Sequence, residues 1–237
     1  MEQLSRIIER NSLKFNFKGD RSRVIEIVRN TIAKCPLCKK VSPRFICLAG
    51  LPGCGKTEFC KLNHLDSIYL VVDPDEYRII SNIDSLSDNI IEDTHDIMCV
   101  ITMSVLEIAF ELQLDVLIMD TFSNKQFWLK FFSDHKNLLS QYEITMIILA
   151  QPYNLCKRLI TRRYENDIKS NKSFVRPPDY GFLNECRLNF SEAMEAILNI
   201  QIFSSVKLLT RQNFHHIFKE YISNDFIEDW NKITNTE

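Results

Sequence analysis

Three of the five glycines in this 237-residue chain, Gly50, Gly53 and Gly55, fall within six consecutive positions of the segment RFICLAGLPGCGKTEFCKL, residues 44–62. The segment fits G-x-x-x-x-G-K-[ST] at Gly50, Gly55, Lys56 and Thr57. At average residue frequencies a chain of this length meets that pattern by chance roughly once in a hundred. Backbone N–H groups that turn inward around one anion need positive φ and close approach, and glycine supplies both at least cost. An apolar run before the loop and a helical pattern after it aim the positive end of a helix at the same anion. The chemistry expected is that of a triphosphate held with Mg2+: Lys56 would bridge the β- and γ-phosphates, and the Thr57 hydroxyl would ligate the cation. Gly50, Pro52, Gly53, Cys54, Gly55, Lys56 and Thr57 are the candidate nucleotide-binding residues. Amide donors and a helix start around Cys54 should lower its thiol pKa, so oxidation there is expected to block nucleotide binding. A tolerated small residue is the plainer alternative.

Three further segments carry candidate chemistry. In VVDPDEYR, Asp75 is a candidate general base for an attacking hydroxyl, with Asp73 and Glu76 as rivals. Arg78 would lie beside Asp75 if a helix begins here, and would hold an anionic part of the acceptor. An acidic helix start, where Asp and Pro serve as caps, is the structural alternative. In DVLIMDTFSN an apolar strand ends in Asp120, which would hold Mg2+ through water or orient the acceptor, and Thr121 would point to the same crevice and bind the acceptor, unless Asp120 merely caps the next helix. In YNLCKRLITRRYEND, Arg158 and Arg162 are four apart and share a helical face, with Arg163 beside them. These arginines would neutralise a transferring phosphoryl group, with Arg162 the candidate for catalysis and Arg158 and Arg163 for nucleotide binding; a solvated basic face is the alternative. Lys169, Lys172 and Arg176 continue into a stretch without apolar periodicity, which suits a lid over about 153–180.

The elements that must position these residues alternate along the chain. RFICLA, SIYLVV, DVLIMD, ITMIILA and SVKLL read as short buried strands. Between them KTEFCKLNHL, a long region ending in the stripe Ile97, Ile101, Val105, Ile108 and Leu112, NKQFWLKFFSDHKNLL, YNLCKRLITRRYEND and FLNECRLNFSEAMEAIL read as helices, and the C-terminus as helical pieces. Such alternation predicts a doubly wound parallel α/β sheet with helices on both faces. Residues 1–40 read as two short helices ahead of a single domain over 41–237.

Composition narrows the function classes. The net charge of −2 provides no global basic field for nucleic acid or anionic membrane. The longest apolar run, Met98 to Leu106, is too short to span a bilayer, and the N-terminus lacks a secretory apolar run. Eight cysteines without a framework of spacings suit reduced thiols in the cytoplasm. Cys35 and Cys38 form a tight pair with no second pair at zinc-ribbon spacing, so a thiol-bearing turn is expected rather than a metal site.

Taken in order, GLPGCGKT, DPDEYR, DVLIMDTFSN and RLITRR resemble the P-loop kinases grouped around zeta toxins and polynucleotide kinases, over roughly residues 44–190. The resemblance implies a nucleoside-kinase-like P-loop NTPase fold, ATP with Mg2+, and transfer of the γ-phosphoryl group to a hydroxyl. In that group the Asp of a D-[DE]-[FY]-R segment is the general base and its Arg contacts the acceptor, which maps onto Asp75 and Arg78. The lid arginines map onto Arg158 and Arg162 with Arg163 as neighbour, and the strand-end Asp-Thr pair onto Asp120 and Thr121. Zeta toxins phosphorylate UDP-N-acetylated sugars, and polynucleotide kinases phosphorylate 5′-hydroxyl ends. The His-Pro that zeta toxins often carry after the D-[DE]-[FY]-R segment is replaced here by IISNIDSLSDN. The expected acceptor is therefore a nucleotide-containing small molecule or a nucleic-acid end, with a protein inhibitor or antitoxin as an implied partner. The alternative is an ATPase switch that signals through a protein partner. An N-K-x-D segment for guanine is replaced by ILAQPYN, which disfavours GTP.

Overall fold

The computed structural model describes residues 2–35, 41–81, 94–172, 175–211, 218–221 and 225–236. The chain forms two compact units, residues 1–45 with 65–119, and residues 46–64 with 120–237.

The first unit is built around the helix predicted from the apolar stripe. Helices α1 (Glu2–Lys14), α2 (Arg21–Ala33), α4 (Pro74–Ser81) and α5 (His95–Glu111) form from the expected segments. Helix α5 is apolar on nearly all sides, so it serves as a core element against which α1, α2 and α4 pack. One polar cluster marks the α1 contact. Asn11 donates to Ser104 Oγ at 3.2 Å, and Arg10 pairs with buried Glu107. Strands β2 (Leu70–Val72) and β3 (Val116–Asp120) pair in parallel, with Leu70 opposite Val116 and Val72 opposite Ile118. Asp115 precedes β3 and is buried. It accepts the Arg44 backbone N–H at 2.8 Å and the Arg44 guanidinium at 2.7 Å.

In the second unit β1 (Arg44–Gly50) lies beside β4 (Glu143–Ala150), β4 beside β5 (Ser205–Arg211), and β5 beside β6 (Phe218–Tyr221). Strands β4 and β5 are parallel, with Thr145 opposite Ser205 and Ala150 opposite Thr210. Strand β6 runs antiparallel to β5. It adds an edge strand beyond the five parallel strands that the sequence marks. The segment FKEY carries two charges in four residues and offers no apolar run, so only its pairing with β5 reveals it. The expected C-terminal helix is present as α10 (Phe226–Thr234), where Trp230 stacks on Phe190 at 4.2 Å.

The remaining helices of this unit are α3 (Lys56–Leu62), α6 (Lys125–Asp134), α7 (Lys136–Leu139), α8 (Tyr153–Lys169) and α9 (Tyr180–Leu198). The expected helix over NKQFWLKFFSDHKNLL is thus two helices that meet at His135. Among the described residues no helix is long and apolar enough to cross a membrane. Cys35 is buried, whereas Cys38 lies outside the described residues, as do Ser173 and Phe174 of the predicted lid. No cluster of His, Cys, Asp or Glu suited to a metal occurs among the described residues.

Candidate functional site: a phosphate-binding loop and its flanking residues

Strand β1 delivers the chain to Gly50 and α3 begins at Lys56, so residues 51–55 form the loop that the spacing predicted. Gly53 and Gly55 have φ of 79° and 96°, in the left-handed region that favours glycine. Gly50 is required for space: a Cβ there would lie 2.7 Å from both Cys54 Sγ and the Leu149 carbonyl oxygen. The Lys56 ammonium donates to the carbonyls of Gly50 at 2.7 Å and Leu51 at 3.2 Å, which folds the side chain back over the loop. Thr57 is exposed in the first turn of α3.

Cys54 corrects an expectation. Its N–H closes a turn onto Leu51 O at 3.1 Å, and its side chain is buried. Burial pushes the thiol pKa up, against the opposing pull of the Lys56 charge and backbone N–H donors. The loop's donors are real, but desolvation outweighs them. Cys54 is therefore a packed thiol and not an activated one.

Asp120 ends β3 half-buried. It accepts the Trp128 indole N–H at 2.9 Å, and the helix that follows is capped by Asn124 instead, which accepts Phe127 N–H at 3.1 Å. Burial pushes the Asp120 pKa up, while the Thr121 N–H, the Lys56 charge and the indole hold it back. The Lys56 charge is thus felt at the Asp120 carboxyl group. The Thr121 hydroxyl lies 3.0 Å from that of Ser123, which donates to Cys186 Sγ at 3.4 Å.

Helix α8 carries Arg158, Arg162 and Arg163, all exposed. Its buried residues Cys156 and Ile160 are the ones that approach Gly53. At about 100° per residue, Arg163 continues the i, i+4, i+7 stripe of Cys156 and Ile160, whereas Arg158 and Arg162 share a different face. Lys172 continues beyond α8 and pairs with Asp167 at 2.5 Å.

In the first unit, Asp73 follows β2 and accepts the Asp75 N–H at 3.1 Å, which starts α4 with Pro74 in the first turn. Asp73 therefore acts as a helix cap. Asp75 is exposed, and its carboxylate stands 3.6 Å from the Arg78 Nε, whose side chain is largely buried and reaches Thr94 Oγ1 at 3.4 Å. The pairing of Asp75 with Arg78 is the one that a helix starting here predicts.

Trp128, Ser123 and Cys186 have no signal in the sequence that marks them as part of the site. Only the indole at the fourth position after the Asn124 cap hints at a donor near the end of β3.

The chain matches the family model described as zeta toxin over residues 29–222. Among solved structures it resembles the PezAT chromosomal toxin–antitoxin system of Streptococcus pneumoniae, with a TM-score of 0.74 at 16% identity over 92% of this chain and 88% of that one. It also resembles AvrRxo1-ORF1:AvrRxo1-ORF2 with sulphate ions (TM-score 0.65, 10% identity, 90% and 72% covered). The same complex with ATP matches at a TM-score of 0.66 and 11% identity, again over 90% and 72%. No curated protein sequence matches the chain significantly. These likenesses establish the expected α/β fold of P-loop NTPases, a parallel sheet flanked by helices. A phosphate-binding loop on that fold, with the family match covering most of the sequence, makes the chain a member of the zeta toxin family.

Proposed function

We propose that this protein is an ATP- and Mg2+-dependent phosphotransferase that moves the γ-phosphoryl group to a hydroxyl of a nucleotide-containing small molecule or a nucleic-acid end. The observation that carries this reading is the loop itself, with positive-φ glycines, Lys56 folded over it and the Asp120 carboxyl in the field of Lys56. Thr57 and Asp120 offer only hard oxygen donors, which suits Mg2+, and a cation would offset the partial desolvation of the half-buried Asp120 carboxylate. When bound, the cation neutralises phosphate charge.

Lys56 would exchange its carbonyl partners for oxygens of the β- and γ-phosphates. The acceptor oxygen bonds to the γ-phosphorus while the bond to the β–γ bridging oxygen breaks, and ADP leaves with that electron pair. The acceptor proton passes to the exposed Asp75 carboxylate, and Arg78 steadies both Asp75 and an anionic part of the acceptor. The α8 arginines would neutralise charge on the group in transfer, with Arg163 on the face that continues the contact with the loop. The resemblance to a toxin–antitoxin system supports a second protein that binds the chain and holds it inactive, in a cytoplasm that supplies the ATP.

The test is incubation with γ-labelled ATP and a panel of nucleotide sugars, nucleosides and 5′-hydroxyl oligonucleotides. Label on one class, lost in Lys56→Ala by about 10²–10³-fold, supports the reading and identifies the acceptor. Release of free phosphate with no labelled acceptor replaces it with the nucleotide-dependent switch.

A further inference from the structure

The turn between β3 and α6 is built in an uncommon way. Phe122 has φ of 57°, a left-handed backbone that a bulky side chain rarely adopts, and it is fully buried. Such conformations persist where the surroundings over-determine them, and they concentrate at functional sites. Here the surroundings are aromatic. The Phe122 ring stacks on Trp128 at 4.1 Å with 26° between planes, and Phe127 and Phe131 meet the indole edge-on at 5.2 and 5.3 Å. The stack fixes the indole in one orientation, and in that orientation its N–H meets Asp120 Oδ2 at 2.9 Å.

A phenylalanine would fill most of this space, so packing alone leaves the indole N–H unexplained. A carboxylate presents about four lone-pair directions. The indole N–H occupies one of them at 2.9 Å. The others are left for further partners, and the aromatic stack holds the occupied one in a rigid frame.

We infer that Trp128 is a positioning residue for Asp120: the aromatic stack locks the indole, and the indole N–H aims the carboxylate for the metal–nucleotide complex. This rests on the phosphotransfer reading above. Cation binding would then be felt directly at the indole, which makes Trp128 a built-in reporter of the loaded site.

The chain has two tryptophans, so an ¹⁵N spectrum of the full-length protein holds two indole N–H signals, and Trp128→Phe removes and thereby assigns one. Adding Mg2+ with a non-hydrolysable ATP analogue is expected to shift the Trp128 signal and leave that of Trp230 in place. The analogue in EDTA is expected to leave both in place. In Trp128→Phe the Mg2+ concentration that half-saturates analogue binding should rise about tenfold, the scale of one lost hydrogen bond to a charged group, with unchanged affinity in EDTA. A merely structural role would alter both affinities or neither. The inference is overturned if calorimetry shows full Mg2+-dependent binding while the Trp128 signal stays still, or if Trp128→Phe keeps the wild-type Mg2+ dependence. Should Trp128→Phe fail to fold, Trp230→Phe assigns the signals and the wild-type titration decides. A wild-type protein that binds no nucleotide overturns the phosphotransfer reading itself, and this inference with it.

Discussion

Gly53 and Cys156 meet at backbone distance: a Cβ on Gly53 would stand 2.6 Å from the Cys156 carbonyl oxygen and 2.8 Å from Ile160 Cγ1. The phosphate-binding loop is thus packed directly on the helix that carries the arginines. A loop shaped by its own glycines is also braced from outside.

Gly53→Ala should therefore damage the site twice, through the φ of 79° and through the clash with Cys156. Nucleotide affinity measured by calorimetry is expected to fall at least about tenfold, with a stability loss of about 1–3 kcal/mol in thermal unfolding. Gly181→Ala is the control. Its added Cβ would meet only Asp179 Oδ1 at 3.4 Å, at the start of a helix, and stability should hold or rise by about 0.4–1 kcal/mol.

The same contact ranks the arginines. Arg163 continues the stripe of Cys156 and Ile160, so Arg163→Ala is expected to lower turnover by about 10²-fold, more than Arg158→Ala or Arg162→Ala. Single-turnover rates on the identified acceptor decide the order. A larger loss from Arg162→Ala would place the transferring group on the other face of the helix.

Asp75→Asn keeps the shape of the α4 start, which Asp73 caps, and removes the proton acceptor. Nucleotide binding should be unchanged, while turnover falls by about 10²–10⁴-fold. Normal turnover in this variant would exclude Asp75 as the base.

Thiol labelling tests the burial of Cys54. A raised pKa means a smaller thiolate fraction at every pH below it, and burial blocks the reagent as well. In the folded protein at pH 8, iodoacetamide should modify half-buried Cys99 before Cys54, and Cys54 should react only on unfolding. Mass spectrometry of the digested protein reads the order.

Asp115→Ala addresses stability in the first unit. It leaves the Arg44 backbone N–H and guanidinium without their buried acceptor. Because the Arg44 side chain is 44% exposed, the expected loss is about 2 kcal/mol and not the full value of a buried pair. Denaturant unfolding with an unchanged m-value would confirm it.

Several parts of this protein were legible from the chain alone, because their physics is local. The glycine spacing, the lysine and hydroxyl that follow it, and the apolar runs that become β1, β3, β4 and β5 all depend on neighbours a few residues apart. So does the Asp75–Arg78 pair, which needs only one turn of helix. Strand β6 exists through its pairing with β5, and no local pattern announces it. The Cys54 thiol illustrates the same limit. Its neighbours in sequence are donors that favour a thiolate, but Leu149, Cys156 and Ile160 arrive from distant segments and pack the loop. Desolvation and stacking depend on what the folded chain brings together, which is why the state of Cys54, the hold of Trp128 on Asp120 and the outlook of each arginine were decided by tertiary structure, while the phosphate-binding loop was written in the order of the residues.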